Sequence, residues 1–217
     1  MAVMVEVWGE YALFTRPEMK VERVSYDVMT PSAARGLIEA IYWHPGIKWV
    51  IDRIYVLNPI KFVNIRRNEV SAKLQAATAR NVMNGKDREL FLSTKDTIQQ
   101  RASMVLKDVH YVIEAHFVIT DKATPSDNQG KFSDIMRRRL EKGQCYHQPY
   151  LGTREFPAGF RAWKGGMPPT AYANETRDLG FMLYDLDYSD PKELHPQFFR
   201  ASLRNGVLDV TDCEVFE

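Results

Sequence analysis

The segment Met104 to Thr120 constrains the fold more than any other. Val109, Tyr111, Ile113, Ala115, Phe117 and Ile119 occupy alternate positions there, and in an extended chain alternate side chains share one face. The spacing predicts a long strand with an apolar side, leaving His110, Glu114 and His116 together on the other. Val3, Val5 and Val7 alternate in the same way up to Gly9 and predict a first strand. Thr30 stands where a helix N-cap belongs, and Pro31 fills the first helical position, where a missing N–H costs nothing. A helix is expected from Pro31 to about Trp43, its Ala34, Leu37, Ile38 and Ile41 facing a sheet. His44-Pro45-Gly46 ends it and leaves Tyr42 at its C-terminal edge.

Lys48 to Phe62 is aromatic and β-branched and reads as a strand, with a break at Asn58-Pro59 and a continuation through Ile65 to Val70. Ser71 to Gln100 is polar, with a turn signal at Asn84-Gly85 and one apolar patch at Leu90 to Leu92, and reads as a mobile insertion or hairpin. A second helix from about Asn128 to Lys142 carries an apolar stripe of Phe132, Ile135, Met136 and Leu140, a basic outer face, and Gly143 as its stop. Short strands are expected at Tyr150 to Phe156, Phe160 to Trp163 and Leu179 to Tyr188, with a hairpin centred on Asn205-Gly206. The pattern is α+β: a ferredoxin-like, RNA-recognition-motif-like N-terminal domain with an inserted hairpin over residues 1–123, then a small β-rich C-terminal domain over 124–217.

The 217 residues are 45% hydrophobic and 26% charged, an ordinary globular balance rather than a disordered one. No apolar run is long enough to span a bilayer, and Met1 to Gly9 lacks a signal-peptide core. Cys145 and Cys213 form neither a disulfide framework nor a zinc signature, which fits a reducing, cytoplasmic setting. The net charge is only +1, so any nucleic-acid footprint must be local. The basic islands are Arg66-Arg67, Lys86 to Arg88, and Arg137-Arg138-Arg139 with Lys131 and Lys142.

Seven passages, in order, resemble the type I-C branch of the CRISPR-associated protein family five. They are Trp8 to Phe14, Arg23 to Val28, Glu39 to Pro45, Ile65 to Glu69, Val112 to Phe117, Leu151 to Phe156 and Asp178 to Leu183. The resemblance implies metal-independent cutting of a CRISPR repeat RNA at the base of its hairpin. It also implies retention of the 5′ handle of the mature guide RNA within a surveillance complex of further subunits. Such cutting uses the RNA's own 2′-hydroxyl as nucleophile, so the protein must move protons and stabilise a charged phosphorane. No cofactor or metal is implied.

By the same resemblance Tyr42 matches a catalytic tyrosine, and His116, just before an aromatic residue of its strand, matches an acid/base histidine. Where some members carry a lysine beside that histidine this chain has Ala115, preceded by Glu114; Lys107, Arg66, Arg67 or His44 are substitutes for the cationic role. His110, Glu114 and His116 are spread along one strand face and are not expected to converge on a metal ion. Arg137, Arg138 and Arg139 could grip successive phosphates, as could Arg66 and Arg67. Phe14 and Tyr26 are either stacking or core residues, and Trp43 is expected in the core. Two other readings stand beside the nuclease: a non-catalytic subunit capping the 5′ handle, and a module binding generic RNA or double-stranded DNA, since phosphate contacts distinguish polymers poorly.

Overall fold

The computed structural model describes residues 2–19, 21–86, 90–188 and 194–216. Along the chain run β1 (Val3–Ala12), the two-residue β2 (Arg23–Val24), α1 (Pro31–Ile41), β3 (Ile47–Val56) and β4 (Phe62–Val70). Next come α2 (Ala76–Met83), the single turn α3 (Thr94–Thr97), β5 (Ile98–Ile119), α4 (Gln129–Lys142) and β6 (Gly159–Ala162). The chain closes with β7 (Thr176–Asp187), β8 (His195–Arg204), β9 (Val207–Asp209) and β10 (Val215–Phe216). The strands join one sheet whose centre runs β3-β5-β1-β6, antiparallel throughout. β9 extends it beyond β3, and β8 lies beyond β9, so strands from both sides of residue 123 share the sheet.

The alternation of β5 does what its sequence demands over most of its length. Val109, Tyr111, Ile113, Ala115 and Phe117 are buried with α1 and α4 residues, each large side chain contributing about 1.5–3 kcal/mol by leaving water. Ile119 departs from the pattern and is exposed, because it sits at the last pair of the β3–β5 ladder. Val5 and Val7 of β1 share the core. The strand expected from Lys48, with its break at Asn58-Pro59 and its continuation through Ile65 to Val70, is two strands divided at Leu57 to Lys61. β3 pairs with the C-terminal half of β5, and β4 pairs with its N-terminal half, from Phe62 opposite Leu106 to Val70 opposite Ile98. β5 therefore begins earlier than its apolar alternation, and β4 with β5 forms the inserted hairpin. α2 lies in the connection between them with no buried residue, which is why apolar spacing gave no sign of it. Arg88 of the Lys86 to Arg88 island lies outside the described residues.

Thr30 Oγ1 accepts the Ala33 N–H at 3.1 Å and starts α1. The helix ends at Ile41 rather than near Trp43, with Tyr42 extended at its C-cap. The Ala40 carbonyl accepts the amides of Tyr146 and His147, and the Ile41 carbonyl accepts from Arg139, so the last turn is closed by other segments rather than by further helix. Trp43, expected in the core, projects to solvent, whereas Phe14 and Tyr26 are buried. Tyr150 to Phe156 is a turn held by one bridge from Tyr150 to Pro157, not a strand. Asn205 and Gly206, with φ of 53° and 75°, make the tight turn between β8 and β9.

Candidate active site

α4 crosses the C-terminal end of α1. Asn128 Oδ1 caps it by accepting the Lys131 N–H at 2.9 Å, and Gly143 closes it in the left-handed region. Phe132 is buried from this helix, its ring centre 5.1 Å from that of His44, 5.9 Å from Phe117 and 6.5 Å from Tyr42. Arg139 turns inward: its guanidinium lies 4.9 Å over the Tyr42 ring and donates to the Ile41 carbonyl. The Tyr42 hydroxyl is buried with no hydrogen-bond partner among the described residues, a state that costs about 1–3 kcal/mol in general and calls for an explanation. Burial pushes its pKa up, with the Arg139 charge working against that rise, so at neutral pH the group is a proton donor. His44 Nδ1 accepts the Gly46 N–H at 3.0 Å, which fixes the ring and places the neutral ring's proton on Nε2, an atom with no hydrogen-bond partner among the described residues. At the start of α4, Lys131 binds Asp127 at 2.7 Å, and this contact with Thr124 holds the carboxyl well below its usual range.

On the opposite side of the sheet His116, Glu114 and His110 each have a side-chain partner. His116 Nδ1 meets both carboxylate oxygens of Asp52 at 2.9 and 3.0 Å, and Asp52 is the extra residue of a bulge in β3. Glu114 accepts from the Tyr55 hydroxyl at 2.8 Å, and burial together with that bond raises the Tyr55 pKa to about 12. His110 pairs with Glu6, which also takes Arg161, and Arg161 in turn stacks on the exposed Trp8 at 5.4 Å. His110, Glu114 and His116 thus share a face without converging. His116 and Phe117 are successive strand residues, so they point to opposite faces; Phe117 packs on Phe132, beside Tyr42. Tyr42 and His116 are therefore on opposite sides of the sheet, whereas Tyr42 and Arg139 are brought together.

The five arginines singled out for RNA contact have separate surroundings. Arg67 is bound by Glu155 at 2.9 Å and approaches Glu69 at 3.4 Å. Arg137 pairs with Asp134 and Glu141 on its own helix at 3.1 and 3.6 Å. Arg139 is occupied by Tyr42. Arg66 and Arg138 are exposed, and neither has an ion-pair partner among the described residues. Arg137 to Arg139 do not form one outward row, because successive helical residues are about 100° apart. Sequence reasoning missed Asp52, whose position depends on a bulge, and the Tyr42–Arg139 contact, which spans two helices. His44 was legible only as a substitute cation.

The family described as CRISPR-associated protein (Cas_Cas5), in its Cas5d form, matches residues 2–211. A Mannheimia succiniciproducens protein named CRISPR pre-crRNA endoribonuclease Cas5d is 52% identical over 213 residues, covering 96% of this chain and 94% of the relative. A Thermus thermophilus protein of the same name is 44% identical over 223 residues, covering 95% and 90%. Among solved structures, a crystal structure of a CRISPR-associated protein superimposes with a TM-score of 0.73 at 24% identity, covering all of this chain and 97% of the other. A chain of a CRISPR RNA-guided surveillance complex gives 0.51 at 13% identity, covering all of this chain and 89% of that chain; these two likenesses concern the fold. With a family match over nearly its whole length and two relatives of this identity, the chain belongs to the CRISPR-associated protein family Cas5, in its Cas5d branch.

Proposed function

We propose that the chain is a precursor-crRNA endoribonuclease that cuts the repeat hairpin by attack of the RNA's 2′-hydroxyl, without a metal. It then holds the 5′ handle within a type I-C surveillance complex. The relatives named pre-crRNA endoribonuclease support the activity. The chain order β1, α1, β3, β5, α4, β6 with sheet order β6-β1-β5-β3 supports a ferredoxin-like unit. α4 and β6 belong to that unit as much as the elements before residue 123, with the β-rich remainder attached to it.

The observation that carries the site is the buried, unpartnered Tyr42 hydroxyl beneath Arg139. In this reading the Tyr42 hydroxyl donates toward the departing 5′-oxygen, Arg139 supplies positive charge to the phosphorane, His44 donates its Nε2–H to a phosphorane oxygen because its Nδ1 accepts the Gly46 N–H, and the 2′-hydroxyl proton passes to water. Arg139 thereby fills the cationic role that Ala115 leaves vacant. Arg66 and Arg138 meet phosphates directly, while Arg67 and Arg137 can do so only by exchanging their acidic partners. His116 is a second candidate acid/base, favoured by Asp52, which orients its ring and leaves Nε2 outward. It would act on RNA lying across the other side of the sheet. The cover that Arg139 places over Tyr42 favours one alternative, a non-catalytic subunit capping the handle. Incubation of the purified chain with its repeat hairpin decides between them. A 2′,3′-cyclic phosphate on the upstream fragment is the expected product, and tight binding without any product would make the chain a handle-capping subunit.

A further inference from the structure

On the outer side of α1 lies a cleft of about 620 Å3, floored by Gly36, walled by Trp43, Tyr146 and Tyr150, and edged by His147 and Arg154. Its walls are unusual for a protein surface, since Trp43 is 56% exposed, Tyr146 65% and Tyr150 41%. The loop bearing Tyr146 and His147 is held in place: their amides both bond the Ala40 carbonyl, at 2.9 and 3.0 Å. The rings are therefore presented by a fixed segment and lose little freedom when something stacks on them. Among the described residues the side chains of Tyr146, Tyr150, His147 and Arg154 have no hydrogen-bond or ion-pair partner, although the Tyr146 and His147 rings touch edge to face. The acid at the rim, Glu39, has both oxygens 2.9 Å from Arg35, whose guanidinium also holds Asp185 at 2.8 Å, so its charge is offset in part.

Gly36 supplies an independent observation. It sits within α1, where glycine is the least favourable residue after proline, yet a Cβ built on it meets nothing within 4 Å. Packing does not require a glycine there, and a larger side chain would project into the space that Gly36 lines. Aromatic faces with unpaired cations at the edge are the chemistry of nucleotide binding, because every base has a π face and every nucleotide a phosphate.

We propose that this cleft binds one unpaired nucleotide of the RNA, its base stacked on Trp43 and Tyr146 and its phosphate met by Arg154. This rests on the reading of the chain as an RNA-processing protein and deepens it. Trp43 directly follows Tyr42 but is turned outward from it by the extended C-cap, so a nucleotide held here anchors the RNA on the outer side of the same helix end.

The test uses the full chain and repeat hairpins blocked by a 2′-deoxy nucleotide at the cut, each carrying 2-aminopurine at one unpaired position within or flanking the hairpin. Quenching at one position on binding is expected. Trp43→Ala and Gly36→Leu should abolish that quenching and weaken binding by roughly tenfold at an unchanged salt slope, while Trp43→Phe retains both. Thermal melting of each variant checks its fold. Quenching at no position, or quenching and affinity unchanged in Trp43→Ala, overturns the proposal and leaves the cleft as a surface for another protein. Failure of the parent chain to bind the hairpin at all overturns the RNA-processing reading, and this inference with it.

Discussion

Replacing Tyr42 by phenylalanine removes a single oxygen and separates stability from chemistry. The hydroxyl is buried without a partner among the described residues. Burying such a group unbonded costs about 1–3 kcal/mol in protein mutational data, and the ring that remains keeps its packing on Phe132 and its place under Arg139. Removing the oxygen should therefore stabilise the fold by about 1 kcal/mol, which for a chain of this size raises Tm by about 2–4 °C. If the hydroxyl protonates the leaving oxygen, the same change should lower the cleavage rate by about 10²–10⁴-fold with hairpin affinity unaltered. Thermal melting and single-turnover cleavage of Tyr42→Phe beside the parent measure both effects. Cleavage at the parent rate would remove Tyr42 from the mechanism, and a fall in Tm would mean that the hydroxyl contributes a favourable contact instead of a penalty.

Other perturbations follow from the same geometry. Arg139→Ala should slow cutting and also destabilise the α1–α4 contact, whereas Arg139→Lys should restore part of the stability but little of the rate; melting and rate measured together distinguish the two roles. Arg66→Glu or Arg138→Glu should weaken hairpin binding and reduce the salt slope by about 0.7–0.9 per lost phosphate contact, while Arg67→Glu mainly perturbs the fold through Glu155. Glu6 is held below its ordinary pKa of 4.5, first by hydrogen bonds from Arg161 and then by His110, against the opposing effect of burial. Its folded-state pKa is the lower one, so its stabilisation is complete above the unfolded value and is lost as pH falls through the folded one. Tm should drop on acidification below about pH 4.5, and Glu6→Gln should flatten that drop. Gly206→Ala should cost about 1–3 kcal/mol, since φ is 75° and a Cβ would fall 2.4 Å from Thr170. Urea unfolding of that variant is the check.

What could be read in the sequence was what period and capping encode. β1, α1, the C-terminal half of β5, α4 and the Asn205-Gly206 turn were legible because each has a local signature: alternation, an N-cap, an apolar stripe or a positive-φ pair. Most of β4 was legible as the continuation from Ile65 to Val70, but the start of β5 was not, because Ile98 to Gln100 is exposed and carries no apolar alternation. α2 buries nothing and left no stripe. At the site, Tyr42 could be placed at a helix end, but its cover by Arg139 is a contact between residues 97 positions apart and has no local signal. Trp43 was misread for a related reason. An aromatic next to a buried helix end usually packs inward, and here Tyr42 occupies the interior while the extended C-cap turns Trp43 outward.

The central claim is tested most directly by cleavage of the cognate repeat hairpin by the purified chain in excess EDTA, beside the same hairpin carrying a 2′-deoxy nucleotide at the cut. Cutting of the first at its metal-replete rate, with the second bound equally well but left intact, is the predicted result. Cutting of the deoxy substrate, or loss of cutting in EDTA that added metal restores, would contradict 2′-hydroxyl attack by a metal-independent site.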